Sequence, residues 1–318
     1  MRILVIGGTR FLGKQVVETL AAQAHSITVL SRRHTLFQNP VTQVVAERMQ
    51  GLRLLSGQKF DVVLDFIGYD ETAPSSILCY IQAVHYVLIS SVWVPRLWGG
   101  CDAVQLCPEK ITSSTAALLD VTRSYLEGKV KAEFSTILMN KKNCNAVVLR
   151  LPIFWGKADH TGRLDFYCSR LLDGGPIILI DGALNFAQIA WVQDLSSAIC
   201  RWLTAVDMRL YPVWEALPDA GQSVKSILLQ IQHCLSGAFS QGINISSQEL
   251  AAELPEYLVA EPLWRESPLL QSNANIFAHL GSHATAMSVW LKDVHSIVRE
   301  KNQLRTKELY FFENREIH

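Results

Sequence analysis

Short apolar runs alternate with longer stretches of helical periodicity through the first half of the chain. Arg2–Ile6, Ser26–Leu30, Val44–Val45, Asp61–Phe66, His85–Ile89 and Ala146–Leu151 read as strands. Nearly continuous apolar runs of this kind suit parallel strands covered on both faces. Between them Phe11–Gln23, Pro74–Ala83 and Ala117–Met139 carry apolar residues at helical spacing. The alternation predicts an α/β fold, a doubly wound parallel sheet with helices on both faces.

Beyond residue 155 the pattern loosens. Leu164–Leu172 reads as helix, "GGPIILI" as turn and strand, "FAQIAWVQDLSSAICRWL" as strand into helix, and "LYPVWEAL" as a short strand. The division expected is a nucleotide-binding core over 1–155 and a smaller C-terminal lobe over 156–318, with 186–205 returning to the core. Trp93–Ser114 reads as a long loop of the length usually tied to function or disorder. The charged final stretch "REKNQLRTKELYFFENREIH" reads as a solvated helix or tail.

Composition narrows the classes. Of the 318 residues 49% are hydrophobic and 18% charged, and the formal net charge is zero. A large core follows, with apolar surface left to line a pocket or a homodimer contact. No overall charge argues for nucleic acid, and no apolar run reaches membrane-spanning length. Seven dispersed cysteines without a C-x-x-C pair suit reduced thiols in the cytoplasm. Met1 leads directly into a core strand, where a leader peptide would be polar and then apolar.

The chemistry begins at "VIGGTRFLGKQ". Gly7 and Gly8 allow a tight turn after the first strand, and Gly13 lets the following helix pack closely. Free N–H groups at that helix start suit a pyrophosphate. Arg32 and Arg33 follow the second strand, where a dinucleotide presents its adenosine ribose. Ser31 stands where an acid would bind the 2′-hydroxyl of NAD, so the arginines favour the 2′-phosphate of NADP, with NAD the other option. Arg10 could add to that site. Tyr125 and Lys129 lie four apart on one helix face, so the ammonium can favour the phenolate. Ser91, ending the fifth strand, can hydrogen-bond a substrate oxygen. His279 and His283 are also four apart but lack a third ligand, so no metal site is expected.

Taken together, "GGTRFLG", "FDVVLDFIGY", "VLISS", "YLEGK", "LRLP", "ADHTGRLDFYCSRLLDGG" and "FAQIAWVQDL" resemble an extended or atypical short-chain dehydrogenase/reductase of the NAD-dependent epimerase/dehydratase superfamily. The resemblance implies Ser91, Tyr125 and Lys129 as the catalytic set. It implies Gly7, Thr9, Arg10, Phe11, Leu12 and Gly13 at the pyrophosphate, and Arg32 at the adenosine end. Glu47 falls near the adenine, and Ile67 and Gly68 pass close to the cofactor.

Departures from the superfamily pattern bear on the substrate. Nucleotide-sugar members typically read "LRxxNVYG", with the Asn on the diphosphate; this chain reads "LRLPIFWG", with Ile153 in that place. An Arg-Asp-aromatic handle is replaced by Ala187-Gln188-Ile189, and a dehydratase acid pair by Val92-Trp93. Trp93, Trp155 and Trp191, with Phe154, suggest an apolar or aromatic-lined pocket, and Arg163 either reaches the substrate or caps a helix. The expectation is NADP-dependent hydride transfer at a secondary alcohol or ketone of a small, partly apolar substrate. Nucleotide-sugar epimerisation is the alternative enzyme reading. A non-catalytic RNA-binding relative is the alternative without chemistry, although no nucleic-acid or membrane partner is expected.

Overall fold

The computed structural model describes residues 1–94, 120–139, 144–159, 161, 167–168, 171–172, 177–218, 221–235, 242–249 and 273–291. The chain divides into two compact units. The first comprises Met1–Phe154, Val192–Asp219 and Leu270–Ala284, and the second Trp155–Trp191, Ala220–Leu269 and Thr285–His318.

The first unit is built on seven strands: β1 (Arg2–Ile6), β2 (Ser26–Ser31), β3 (Thr42–Val45), β4 (Lys59–Asp65), β5 (Gln82–Ser91), β6 (Asn145–Leu151) and β7 (Val213–Glu215). All pair in parallel, in the order β7-β6-β5-β4-β1-β2-β3. The order reverses between β1 and β4. A doubly wound sheet binds ligands in the crevice that opens there, outside the carboxyl ends of the strands. Ile3 to Ile6, Val62 to Leu64 and Tyr86 to Leu88 are buried, as expected of central strands sandwiched between helices.

Helices α1 (Phe11–Ala22), α2 (Arg48–Leu54), α3 (Thr72–Tyr80), α4 (Asp120–Met139) and α5 (Val192–Ala205) connect and cover the sheet. Helix α1 buries Leu12, Val16, Val17 and Leu20, one residue per turn or nearly so. Helix α5 packs against it, with Cys200 Sγ 3.8 Å from the Val16 carbonyl oxygen. Burial pushes the Cys200 thiol up to about 12, which makes it an inert core group.

Two elements depart from the sequence pattern. The segment Arg48–Leu54 is helical although Gly51 interrupts it. A Cβ on Gly51 would meet Leu30 Cδ1 at 2.0 Å, so the glycine sets how closely α2 approaches β2. Helix α3 ends at Tyr80 because the strand resumes at Gln82, earlier than the periodicity suggests. The first unit also recruits Leu270–Ala284, where Asn275 caps a short helix and binds both the backbone N–H and the carbonyl of Leu217. His279 is part of this return. Its ring meets Tyr211 and Trp214 edge-on, and it sits in an aromatic nest.

The second unit contains the strand Ile177–Ile180, parallel to Gly242–Ile245, and an antiparallel bridge of Phe186–Ala187 with Gln222–Ser223. Its helix Val224–Leu235 buries Val224, Ile227, Leu228, Ile231 and Leu235 along one face. Trp155 is fully buried, within 6.4 Å of Tyr167 and 6.2 Å of Trp290 between ring centres. Trp191 stacks on the same Trp290 at 5.0 Å. Among the described residues no helix is long and apolar enough to cross a membrane. The loop 95–114, most of Leu164–Leu172, Arg163 and the charged end lie outside the described residues.

Candidate active site

The glycine turn after β1 is shaped by contacts that exclude side chains. Gly7 has φ +85°, and a Cβ there would lie 2.5 Å from Ile67 Cγ2. A Cβ on Gly8 would strike Val5 and Val17, and one on Gly13 would sit 3.0 Å from Gly8 Cα. The backbone is thus bare along the turn, and α1 starts against it. Its N-cap, Arg10, is extended and makes no side-chain capping bond, and no acid occupies the first turn. An uncapped helix start with a positive dipole end and a bare glycine cradle fits a pyrophosphate. Phe11 takes φ +40° and stacks on Phe154 at 5.3 Å, which anchors the turn to the segment that follows β6. Thr9 is half-buried beside it, and Leu12 is buried.

At the end of β2 Arg32 and Arg33 are exposed, as is Arg10 on the glycine turn. Ser31 donates its hydroxyl to the Arg33 carbonyl at 2.7 Å, which curls the loop and directs the serine to backbone. Glu47 is exposed at the N-cap of α2 and makes no capping bond there. Ile67 is half-buried and Gly68 buried at the end of β4.

The strongest polar feature at the reversal point is one the sequence patterns did not single out. Asp65 ends β4 fully buried. It accepts hydrogen bonds from Arg48 Nη1 and Nη2 at 3.0 and 2.6 Å, from the Tyr86 hydroxyl at 2.8 Å and from the Ile67 N–H at 3.0 Å. Arg48 also donates to the Ala73 carbonyl. Burial alone would lower the Arg48 pKa, but Asp65 outweighs it and the net shift is upward. Burial, then Asp65, pushes the Tyr86 phenol well above its ordinary value. An acid closing the apolar run "FDVVLD" was the available signal, because an unpaired carboxylate is too costly to end a core strand.

Ser91 ends β5, and its Oγ accepts a hydrogen bond from the Trp93 N–H at 3.2 Å. Lys129, on α4, is buried and donates from Nζ to the Ile89 carbonyl at 2.7 Å, two residues before Ser91 on the same strand. Tyr125 stands one turn earlier on α4, 43% exposed, with its ring centre 6.0 Å from Lys129 Nζ. The structure therefore pins the lysine to the strand that carries the serine and leaves the tyrosine partly exposed. Burial pushes Lys129 down to about 8, against the upward pull of Asp65 and Glu133.

Below this set a buried ionic cluster fixes α4 to the sheet. Glu133 accepts from the Ser90 hydroxyl at 2.5 Å and from Arg150 Nε and Nη2 at 3.1 and 2.7 Å. Arg150 Nη1 lies 3.8 Å from Glu215 on β7. Three strands and one helix are thereby tied at a single point, one turn beyond Lys129.

The expected substrate residues separate. Trp93 is half-buried next to Ser91, and Ile153 is 5% exposed in the first unit. Trp155 and Trp191 belong to the second unit, where Trp290 packs on both. Both are buried there. Trp290 lies about a hundred residues further along the chain and gave no local sign of this.

Comparison with known proteins bears on the fold. Residues 3–90 match the model of the NAD dependent epimerase/dehydratase family. The chain is similar in structure to UDP-glucose 4-epimerase of Thermotoga maritima, with TM-score 0.67 and 14% identity over 95% of this chain and 99% of that one. It is similar to DesIV, a dTDP-glucose 4,6-dehydratase of Streptomyces venezuelae solved with NAD, with TM-score 0.67 and 16% identity over 96% and 98%. UDP-glucuronic acid 4-epimerase of Bacillus cereus, solved with its substrate and NAD, gives TM-score 0.66 and 14% identity over 94% and 99%. Among curated proteins, chloroplast stem-loop binding protein of 41 kDa b of Arabidopsis thaliana is 23% identical over 216 residues, 62% of this chain. The chain matches about half, 53%, of that relative's length.

Proposed function

We propose that this chain, which carries the NAD dependent epimerase/dehydratase domain over residues 3–90 and the fold of the extended epimerases and dehydratases, is an NADP-dependent oxidoreductase acting on a secondary alcohol or ketone. The observation that carries the reading is Lys129 Nζ held to the Ile89 carbonyl, with Tyr125 one helical turn away and Ser91 on the strand so engaged.

The bare glycine turn, the uncapped start of α1 and the exposed arginines after β2 suit a dinucleotide with a 2′-phosphate. When bound, the nicotinamide supplies or accepts the hydride. Tyr125 exchanges the matching proton at the substrate oxygen. The ammonium of Lys129, one helical turn away, is the group that favours its phenolate. Ser91 accepts from the Trp93 N–H, so its own O–H is the donor that polarises a carbonyl. Tyr125→Phe tests the role directly: turnover falls by about 10²–10⁴-fold while NADPH affinity stays near wild type. Undiminished turnover in that variant ends the catalytic reading.

A small, partly apolar carbonyl compound is the substrate class the residues favour, because Ile153 and Trp93 offer no charge to a diphosphate. The solved relatives act on nucleotide sugars, which keeps epimerisation as the second enzyme reading. The stem-loop binding name of the curated relative favours a third reading, in which the fold binds RNA. Gel-shift titration of a structured RNA at rising salt separates it: a steep loss of affinity with salt supports RNA binding through phosphate contacts.

A further inference from the structure

Tyr69 follows Gly68 at the carboxyl end of β4 and was not singled out by any sequence pattern. Its ring centre lies 4.6 Å from Lys129 Nζ, closer than the Tyr125 ring at 6.0 Å. Its ring is also 5.9 Å from that of Tyr125, tilted by 54°. One lysine thus sits under two phenols, contributed by different elements.

The placement is built into the backbone. Gly128, immediately before Lys129, has no Cβ, and a Cβ there would lie 2.1 Å from the Tyr69 carbonyl oxygen. A glycine inside a helix costs about 1 kcal/mol relative to alanine. The cost is offset here by the closest approach of α4 to the Tyr69 backbone. Tyr69 is nevertheless 49% exposed, so core packing does not account for its position.

We propose that Tyr69 is a positioning residue of the candidate site: its ring caps the Lys129 ammonium and braces the Tyr125 ring, and so sets the spacing of lysine and phenol. The proposal rests on the catalytic reading of Tyr125 and Lys129 given above. The charged groups acting on Lys129 are Asp65 from β4, Glu133 from its own helix and Arg48 from α2. The first two pull its pKa up and Arg48 pulls it down, while burial is the largest influence and lowers it. The ring does two opposing things. Its face attracts the cation, and its bulk keeps water away. Since burial dominates, removing the ring raises the lysine pKa.

The test is an NMR titration of the full chain labelled at its lysine side chains, without cofactor, with the Lys129 ammonium assigned by its loss in Lys129→Arg. In the wild type the midpoint should lie near 8. Tyr69→Phe keeps it within about 0.3 pH unit, and Tyr69→Ala raises it by about one unit. Gly128→Ala keeps the ring but displaces it, and moves the midpoint in the same direction. A midpoint unchanged in both Tyr69→Ala and Gly128→Ala overturns the proposal. So does a Tyr69→Phe midpoint that moves as far as that of Tyr69→Ala, since the hydroxyl would then be responsible. Failure of the catalytic reading shows elsewhere, as full turnover in Tyr125→Phe, and leaves the Lys129 titration unaltered.

Discussion

The guanidinium of Arg48 grips both carboxylate oxygens of Asp65, at 3.0 and 2.6 Å, where the strand order of the sheet reverses. The carboxylate is fully buried and the arginine side chain 16% exposed. Removing one partner of such a pair leaves a buried charge without its counterion. Asp65→Asn and Arg48→Met should each lower the unfolding free energy by about 3 kcal/mol, measured in urea, and the double variant by less than the sum. Losses under about 1 kcal/mol would class the pair with ordinary surface ion pairs.

Cofactor choice follows from the end of β2. Arg32 and Arg33 are exposed there, and the Ser31 hydroxyl is committed to backbone. NADPH should bind more tightly than NADH by calorimetry. Replacing both arginines with Ala should weaken NADPH at least about tenfold and barely change NADH, as expected for lost charge-assisted contacts to a phosphate. Tighter NADH binding by the wild type would refute the assignment.

The buried lysine gives a pH signature. Lys129 in the folded chain is pushed down to about 8, below its ordinary 10.5, so between those values the unfolded chain binds more protons. Stability contributed at this site therefore rises with pH through that window. Below about 8 the full cost of burying the ammonium is present, on the order of 3 kcal/mol as an upper bound. Lys129→Met should remove this dependence, and the stability difference between variant and wild type should shrink from pH 8 to 10.5 in urea titrations. Parallel curves over that range would contradict it.

Substrate class can be read by binding alone. Ile153 is buried where nucleotide-sugar relatives typically carry an asparagine, and phosphate charge left desolvated there is costly. UDP-glucose and dTDP-glucose should bind the NADP-loaded protein weakly or not at all by calorimetry. Micromolar binding of either would promote epimerisation over simple reduction.

The sheet and the glycine turn were legible because their signals are local. Apolar runs, a turn between strand and helix, and a tyrosine four residues before a lysine all lie within one window. Strand β3 was only half legible: Thr42 and Gln43 sit on the edge strand, where one side needs no apolar residue. The rest of the site is made by partners distant in sequence. Arg48 and Asp65 are 17 residues apart, Glu133 and Arg150 also 17, and Lys129 reaches the carbonyl of a residue 40 positions earlier. Tyr69 and Gly128 fall within "FDVVLDFIGY" and "YLEGK", but their contact was not legible, since a carbonyl pressed against a missing Cβ leaves no periodic trace. The packing of Trp155 and Trp191 was illegible for a related reason: both meet Trp290, which periodicity could not connect to them.

The pairing of α5 with α1 has a consequence for how the chain is made. Cys200 contacts Val16 at a separation of 184 positions, and β7 and the Asn275 cap come later still. Loop closure over such distances is entropically slow. The half that looks self-contained in the sequence emerges first from the ribosome, yet its outer helix and edge strand are among the later parts synthesised. Until they arrive, one face of α1 and the open side of β6 lack their covering. The helix that follows the glycine turn is therefore covered only once residues about 180 positions later have been made.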